Sequence, residues 1–134
     1  MNAMDDSEFI QAFESGTLNP QLFDHEAHIK LAWVYLNRYG EKEAIAKTCE
    51  GIRNFDRLHG DGTKYHATLT IAAVKAVHHF KRKSKATTFE GFIKEFPRLK
   101  TSFKSLLGQH YGIDIISDKK AKTEFVEPDL LPFD

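Results

Sequence analysis

The chain has 134 residues, of which 19 are basic and 19 acidic, with seven histidines, one cysteine and eleven phenylalanines, and 41% of the residues are hydrophobic. The cancelling charges leave no global positive field to attract phosphate backbones or anionic lipid, so nucleic-acid and membrane partners are not expected; the lone Cys49 excludes an intrachain disulfide and fits a reducing compartment. The composition is globular, no run approaches about 18 continuous apolar residues, and the acidic start Met1-Asn2-Ala3-Met4-Asp5-Asp6 is unlike a signal peptide, so a single soluble, cytoplasmic domain over residues 1–134 is expected.

Ser7 is the expected cap of a first helix carrying Phe9, Ile10 and Phe13, and Gly16 ends it. Asn19-Pro20 reads as a cap followed by proline at a first helical position, opening one turn. A second helix runs from a cap at Asp24 to Arg38 or Tyr39, where Gly40 stops it. Leu31, Ala32, Trp33, Val34, Tyr35 and Leu36 make it apolar almost all round, so it belongs at the centre. A third helix spans Glu41 to Leu58, with Ile45, Cys49, Ile52 and Phe55 at helical spacing. Turn chemistry follows in His59-Gly60-Asp61-Gly62-Thr63. The fourth helix, from Lys64 to Lys83, aligns Leu69, Ala73, Val77 and Phe80, and Lys81-Arg82-Lys83-Ser84-Lys85 reads as its solvated, dipole-complementing end. A fifth helix follows Thr87 or Thr88 and carries a phenylalanine stripe as far as Leu107, with Pro97 expected to kink or split it. From Gly112 the periodicity is lost, and residues 112–134 are expected to form an extended strap on the bundle, held open by Pro128 and Pro132. The fold class is all-α, a single-domain bundle of about five helices.

The histidines continue the apolar stripes. His25 and His28 share one face in the first turns of the second helix, His59 ends the buried stripe of the third, and His66 opens that of the fourth. Antiparallel connectivity places these, together with His110 at the end of the fifth helix, at one pole, and leaves His78 and His79 at the other. Imidazoles gathered in a bundle core suit a divalent transition metal such as Zn, Fe or Ni. The expected site has His25, His28 and His66 as metal ligands, His59 as fourth ligand or general base, and Asp61 as the group that orients it. Tyr65, Thr70 and His110 would contact a small-molecule substrate undergoing hydrolytic or oxidative chemistry. Two alternatives stay open: the same pocket holds an anionic small molecule or peptide without catalysis, or the histidines are inert and an exposed aromatic patch forms a homodimer. There is no P-loop, dinucleotide fingerprint or nucleophile elbow.

In Phe23-Asp24-His25-Glu26-Ala27-His28-Ile29-Lys30-Leu31-Ala32, Lys64-Tyr65-His66-Ala67-Thr68-Leu69-Thr70 and Phe125-Val126-Glu127-Pro128-Asp129-Leu130-Leu131-Pro132, the chain resembles a family of small bacterial proteins of uncharacterised function with F-x-H-x-x-H-x-x-x-A, Y-H-x-T-L-T and V-E-P-D-L-x-P blocks. The resemblance implies a bacterial cytoplasmic protein and brings no known reaction. Ala67 stands where the family carries an acidic residue, and the basic segment from Lys81 to Lys85 is a second departure.

Overall fold

Capping chemistry sets most helix boundaries in the structure, a computed structural model that describes residues 5–133. Residues 1–4 and 134 lie outside the described residues, and with them most of the stretch read above as unlike a signal peptide. The first helix, α1 (Asp6–Ser15), is capped by Asp5 rather than Ser7. Asp5 and Glu8 form a reciprocal capping box, so two of the orphan amides of the first turn are satisfied. Ser7 falls inside that turn and accepts a hydrogen bond from Arg38 instead. Gly16 closes α1 at φ 79°, a left-handed conformation that costs a Cβ-free residue nothing.

A 3-10 turn at Pro20–Leu22 leads into α2 (His25–Tyr39), whose cap is Asp24, with its carboxylate on the amide of Ala27 at 2.9 Å. All six residues from Leu31 to Leu36 are buried, and α2 packs against α3 (Glu41–His59), α4 (Ala67–Lys81), α5 (Phe89–Glu95) and α6 (Arg98–Thr101). It is the central helix that its unbroken apolar run requires. Phe13 of α1 lies over α3 at Gly51, where a Cβ would stand 2.6 Å from the ring, and it stacks on Phe55 at 5.4 Å. Trp33 fills the other side of α2 against Phe89 and Phe92.

The fourth helix is shorter than its periodicity suggested. Asp56 draws the amides of Lys64 and Tyr65 onto one carboxylate oxygen at 2.8 and 3.0 Å, which holds those residues outside the helix and makes His66 the cap. The expected fifth helix is three helices: α5, α6 and α7 (Phe103–Gly108). Pro97 makes the first break, because Phe96 before it is pushed out of the helical region. The second break, at Ser102, has a tertiary cause. A continuing helix would offer the carbonyl of Leu99 to the amide of Phe103, whereas here that carbonyl receives Nε2–H of His25 at 2.9 Å.

The strap is likewise not extended throughout, since Asp118 caps a short α8 (Lys119–Thr123) within it. Beyond α8 the chain runs parallel to α4, with Lys122 on the carbonyls of Thr63 and Tyr65 at the start of that helix and Phe133 buried near its end. Thr68 is the pin between them. Its fully buried hydroxyl donates to the carbonyl of Glu124 at 2.9 Å and accepts from the amide of Val126 at 3.1 Å. The described residues contain no strand, and none of their helices is long and apolar enough to cross a membrane.

Replacing Thr68 by Val keeps the shape of the side chain and deprives the carbonyl of Glu124 and the half-buried amide of Val126 of their partner. The Thr68→Val variant should lose about 1–3 kcal/mol in urea unfolding and become cleavable by protease between Glu124 and Phe133 while the helical dichroism is kept.

Candidate functional site

A cavity of about 720 Å³ opens between α2, α3, α4 and the α6–α7 corner, within the usual size range of small-molecule sites. Its interior is apolar, built by Ile29 and Ala32 of α2, Ile52 of α3, and Leu69, Ala73 and Val74 of α4. Polar groups gather at the ends: His25 and His28 from α2, Tyr65, His66 and Thr70 around the start of α4, and Lys64, Lys100 and Lys104 near the mouth. A smaller cavity of about 180 Å³, lined by Asp56, His59 and Gly60, shares His28, Phe23, Lys64 and Tyr65 with the larger one.

Five of the residues predicted to form the site line the larger cavity, namely His25, His28, Tyr65, His66 and Thr70. Their roles follow from what their polar atoms already hold. His66 has no nitrogen to spare: Nδ1 accepts the amide of Leu69 at 3.1 Å as the cap of α4, and Nε2–H donates to the carbonyl of Ile115 at 2.9 Å. This corrects its expected role as a metal ligand, because both positions of the neutral ring are engaged. His25 spends Nε2 on Leu99 and retains Nδ1. His28 donates Nδ1–H to the carbonyl of Asp24 at 2.7 Å, which fixes the tautomer and leaves the Nε2 lone pair unused. Among the described residues, no three His, Cys, Asp or Glu side chains come together as a metal-holding group, so the expected three-histidine set is not assembled.

Three other placements differ from expectation. His59 lines only the smaller cavity, donates Nε2–H to the carbonyl of Gly16 at 2.7 Å and packs on Phe55. Asp61 does not orient it. That carboxylate accepts the amide and hydroxyl of Thr63 in an exposed turn, and these bonds hold it below the usual carboxylate range. His110 lies at the opposite pole, stacked on Phe133 at 4.1 Å, with Nδ1–H on the carbonyl of Leu131 at 2.7 Å, and it shares a cavity of about 150 Å³ with His79. The cause is the break at Ser102: the chain turns at the α6–α7 corner beside His25, and α7 carries it away again.

Sequence reasoning missed Lys64, Lys100, Lys104, Phe103 and Thr48 as cavity residues. The signal for the α7 group was present, since Ser102, Lys104 and Ser105 interrupt a stripe otherwise read as uniform core. Thr48 is fully buried in the α3 wall and its hydroxyl has no partner among the described residues. Lys100 is paired with Glu26 at 2.8 Å, whereas Lys64 and Lys104 enter no ion pair among the described residues. Burial, together with the neighbouring Cys49 thiol, pushes the Tyr65 phenol up to about 12, so it stays protonated.

Burial also lowers the pKa of His28, with the neighbouring His25 adding to the effect against the hydrogen bond to Asp24. The chain matches no protein-family model, no curated protein and no solved structure.

In a histidine NMR titration His28 should titrate below the ordinary value of about 6.5 and carry its proton on Nδ1 when neutral. The unfolded chain accepts that proton more readily than the folded one. Stability should therefore fall as pH drops below about 6.5 and level off once His28 is protonated in the folded state. A His28→Gln variant should lack this component of the pH dependence, and an unshifted titration would contradict it.

Proposed function

We propose that the protein is a small-molecule-binding module whose ligand is an amphipathic organic acid, its apolar body in the cavity and its carboxylate at the lysines of the mouth. The observation that carries this reading is the pairing of a largely apolar cavity of about 720 Å³ with two exposed ammonium groups, Lys64 and Lys104, that have no ion-pair partner among the described residues. Apolar walls supply the favourable burial and a few placed polar groups supply orientation. The amino-terminal ends of α2 and α4 both border the cavity, which adds a weak preference for negative charge.

A divalent metal is the weaker reading for the same residues, because His66 has both nitrogens engaged. Catalysis has less support than binding, because His59 is tied to Gly16 and Asp61 to Thr63, so the expected base and its orienting group are apart.

Titration calorimetry with 4-phenylbutyrate, against 4-phenylbutylamine as the same body with the opposite charge, tests the reading. The acid should bind and the amine should bind at least about tenfold more weakly. The Lys64→Ala/Lys104→Ala double variant should lose about tenfold in affinity for the acid, and Ala73→Phe, which fills the cavity, should abolish binding with the helical dichroism unchanged. Equal binding of acid and amine, or none of the acid, would reject the proposal.

A further inference from the structure

We infer that the ligand of this cavity is a hydroxy acid, with a hydroxyl at the end of its apolar body remote from the carboxylate, received as a hydrogen-bond donor by Nε2 of His28. The inference rests on the binding reading above and names the chemistry at the other end of the same site.

Four observations carry it. The bond from Nδ1–H of His28 to the carbonyl of Asp24, at 2.7 Å, fixes which nitrogen bears the proton, so Nε2 presents a lone pair. That lone pair has no partner among the described residues, whereas both nitrogens of His66 are engaged. The face of the His28 ring is covered by Phe23, stacked at 3.9 Å and 25°, which leaves the ring edge as the open side. Finally, His28 and Lys64 belong to the wall that the large cavity shares with the small one, whereas Lys104 stands on α7, which borders the large cavity alone, so Lys104 is the lysine on the side away from His28. A ligand with its carboxylate at Lys104 and its body along Ile29, Ala32 and Ala73 therefore brings its far end toward His28.

An acceptor at that place selects for a donor. An alkyl or aryl terminus would cover Nε2 without satisfying it, an ether oxygen would oppose it lone pair to lone pair, and an ammonium would meet the same lone pair but sit in a cavity whose free charges, Lys64 and Lys104, repel it. A hydroxyl meets the acceptor without bringing charge. Thr70, buried in the same cavity wall and making no side-chain hydrogen bond among the described residues, offers a second polar contact to the hydroxyl oxygen.

The test uses three probes of one body, 4-(4-hydroxyphenyl)butyrate, 4-phenylbutyrate and 4-(4-methoxyphenyl)butyrate, titrated calorimetrically into the wild-type chain, His28→Phe and Lys104→Ala. The hydroxy acid should bind wild type about tenfold more tightly than the unsubstituted acid, and the methyl ether should gain nothing. His28→Phe keeps a ring to stack on Phe23 and removes the lone pair, so the hydroxyl advantage should vanish there, whereas Lys104→Ala should weaken all three acids and preserve it. Equal affinities of the hydroxy and unsubstituted acids for wild type would overturn the inference and leave the binding reading standing, as would an advantage that survives in His28→Phe. The comparison of the three probes on wild type decides the matter even if a variant fails to fold. Failure of all three acids to bind would remove the binding reading itself, and the hydroxyl inference with it.

Discussion

Backbone carbonyls at and beyond helix ends lack helical partners, and in this protein imidazole rings supply donors to several of them. His25 serves Leu99, His59 serves Gly16, His66 serves Ile115 and His110 serves Leu131, while His28 adds a second donor to the Asp24 carbonyl that already accepts its amide. Four of these bonds join segments more than twenty residues apart, so the rings act as staples between elements. The geometry of the cavity follows from them. The staple to Leu99 breaks the helix at Ser102 and turns α7 so that Lys104 stands at the mouth, and the staple to Ile115 brings the strap against the start of α4, with Ile116 on the rim.

The staples also differ in what they leave over. His66 uses both nitrogens and is wholly structural, whereas His28 uses one, is partly buried and presents the other to the cavity. The rest of the site divides in the same way. Asp56 spends one oxygen on two loop amides, Asp24 caps α2, and Glu26 neutralises Lys100, so the groups left at the cavity without a protein partner among the described residues include Lys64, Lys104, the Nδ1 of His25, the Nε2 of His28 and the hydroxyls of Thr48 and Thr70. A set of two cations, two imidazole acceptors and an apolar body is a recognition pattern more than a catalytic one.

The helical half of the fold was legible because its signals are local. Apolar spacing marked α1 to α4, the run from Leu31 to Leu36 marked the central helix, and Asp24, Gly16 and Gly40 marked their ends. Asp5 was legible too, since Asp5 and Glu8 have capping-box spacing, but Ser7 competed for the assignment. Less legible were effects whose cause lies far away in the chain. Nothing near Ser102 reports that a histidine 74 residues distant from Leu99 will take its carbonyl. His110 was consequently placed at the wrong pole, and the lysines of α6 and α7 were not singled out. Of the residues singled out for the site, His25, His28, Tyr65, His66 and Thr70 line one cavity. Helical spacing could not say which ring nitrogens would be spent on backbone, and that decides what each histidine can do.

The pin at Thr68 has a kinetic consequence. The contacts among α2, α3 and α4 join neighbours in sequence and carry a small loop-closure cost, whereas Thr68 meets Glu124 and Val126 across gaps of 56 and 58 residues. The partners of its hydroxyl arrive only when the last part of the chain does. Until then α4 shows water an apolar flank that includes the seat of Ala121 and Phe133, both buried in the finished fold. The strap thus closes the folding reaction as well as the surface, and the interval before it docks is the one in which two unfinished chains have complementary sticky faces to offer each other.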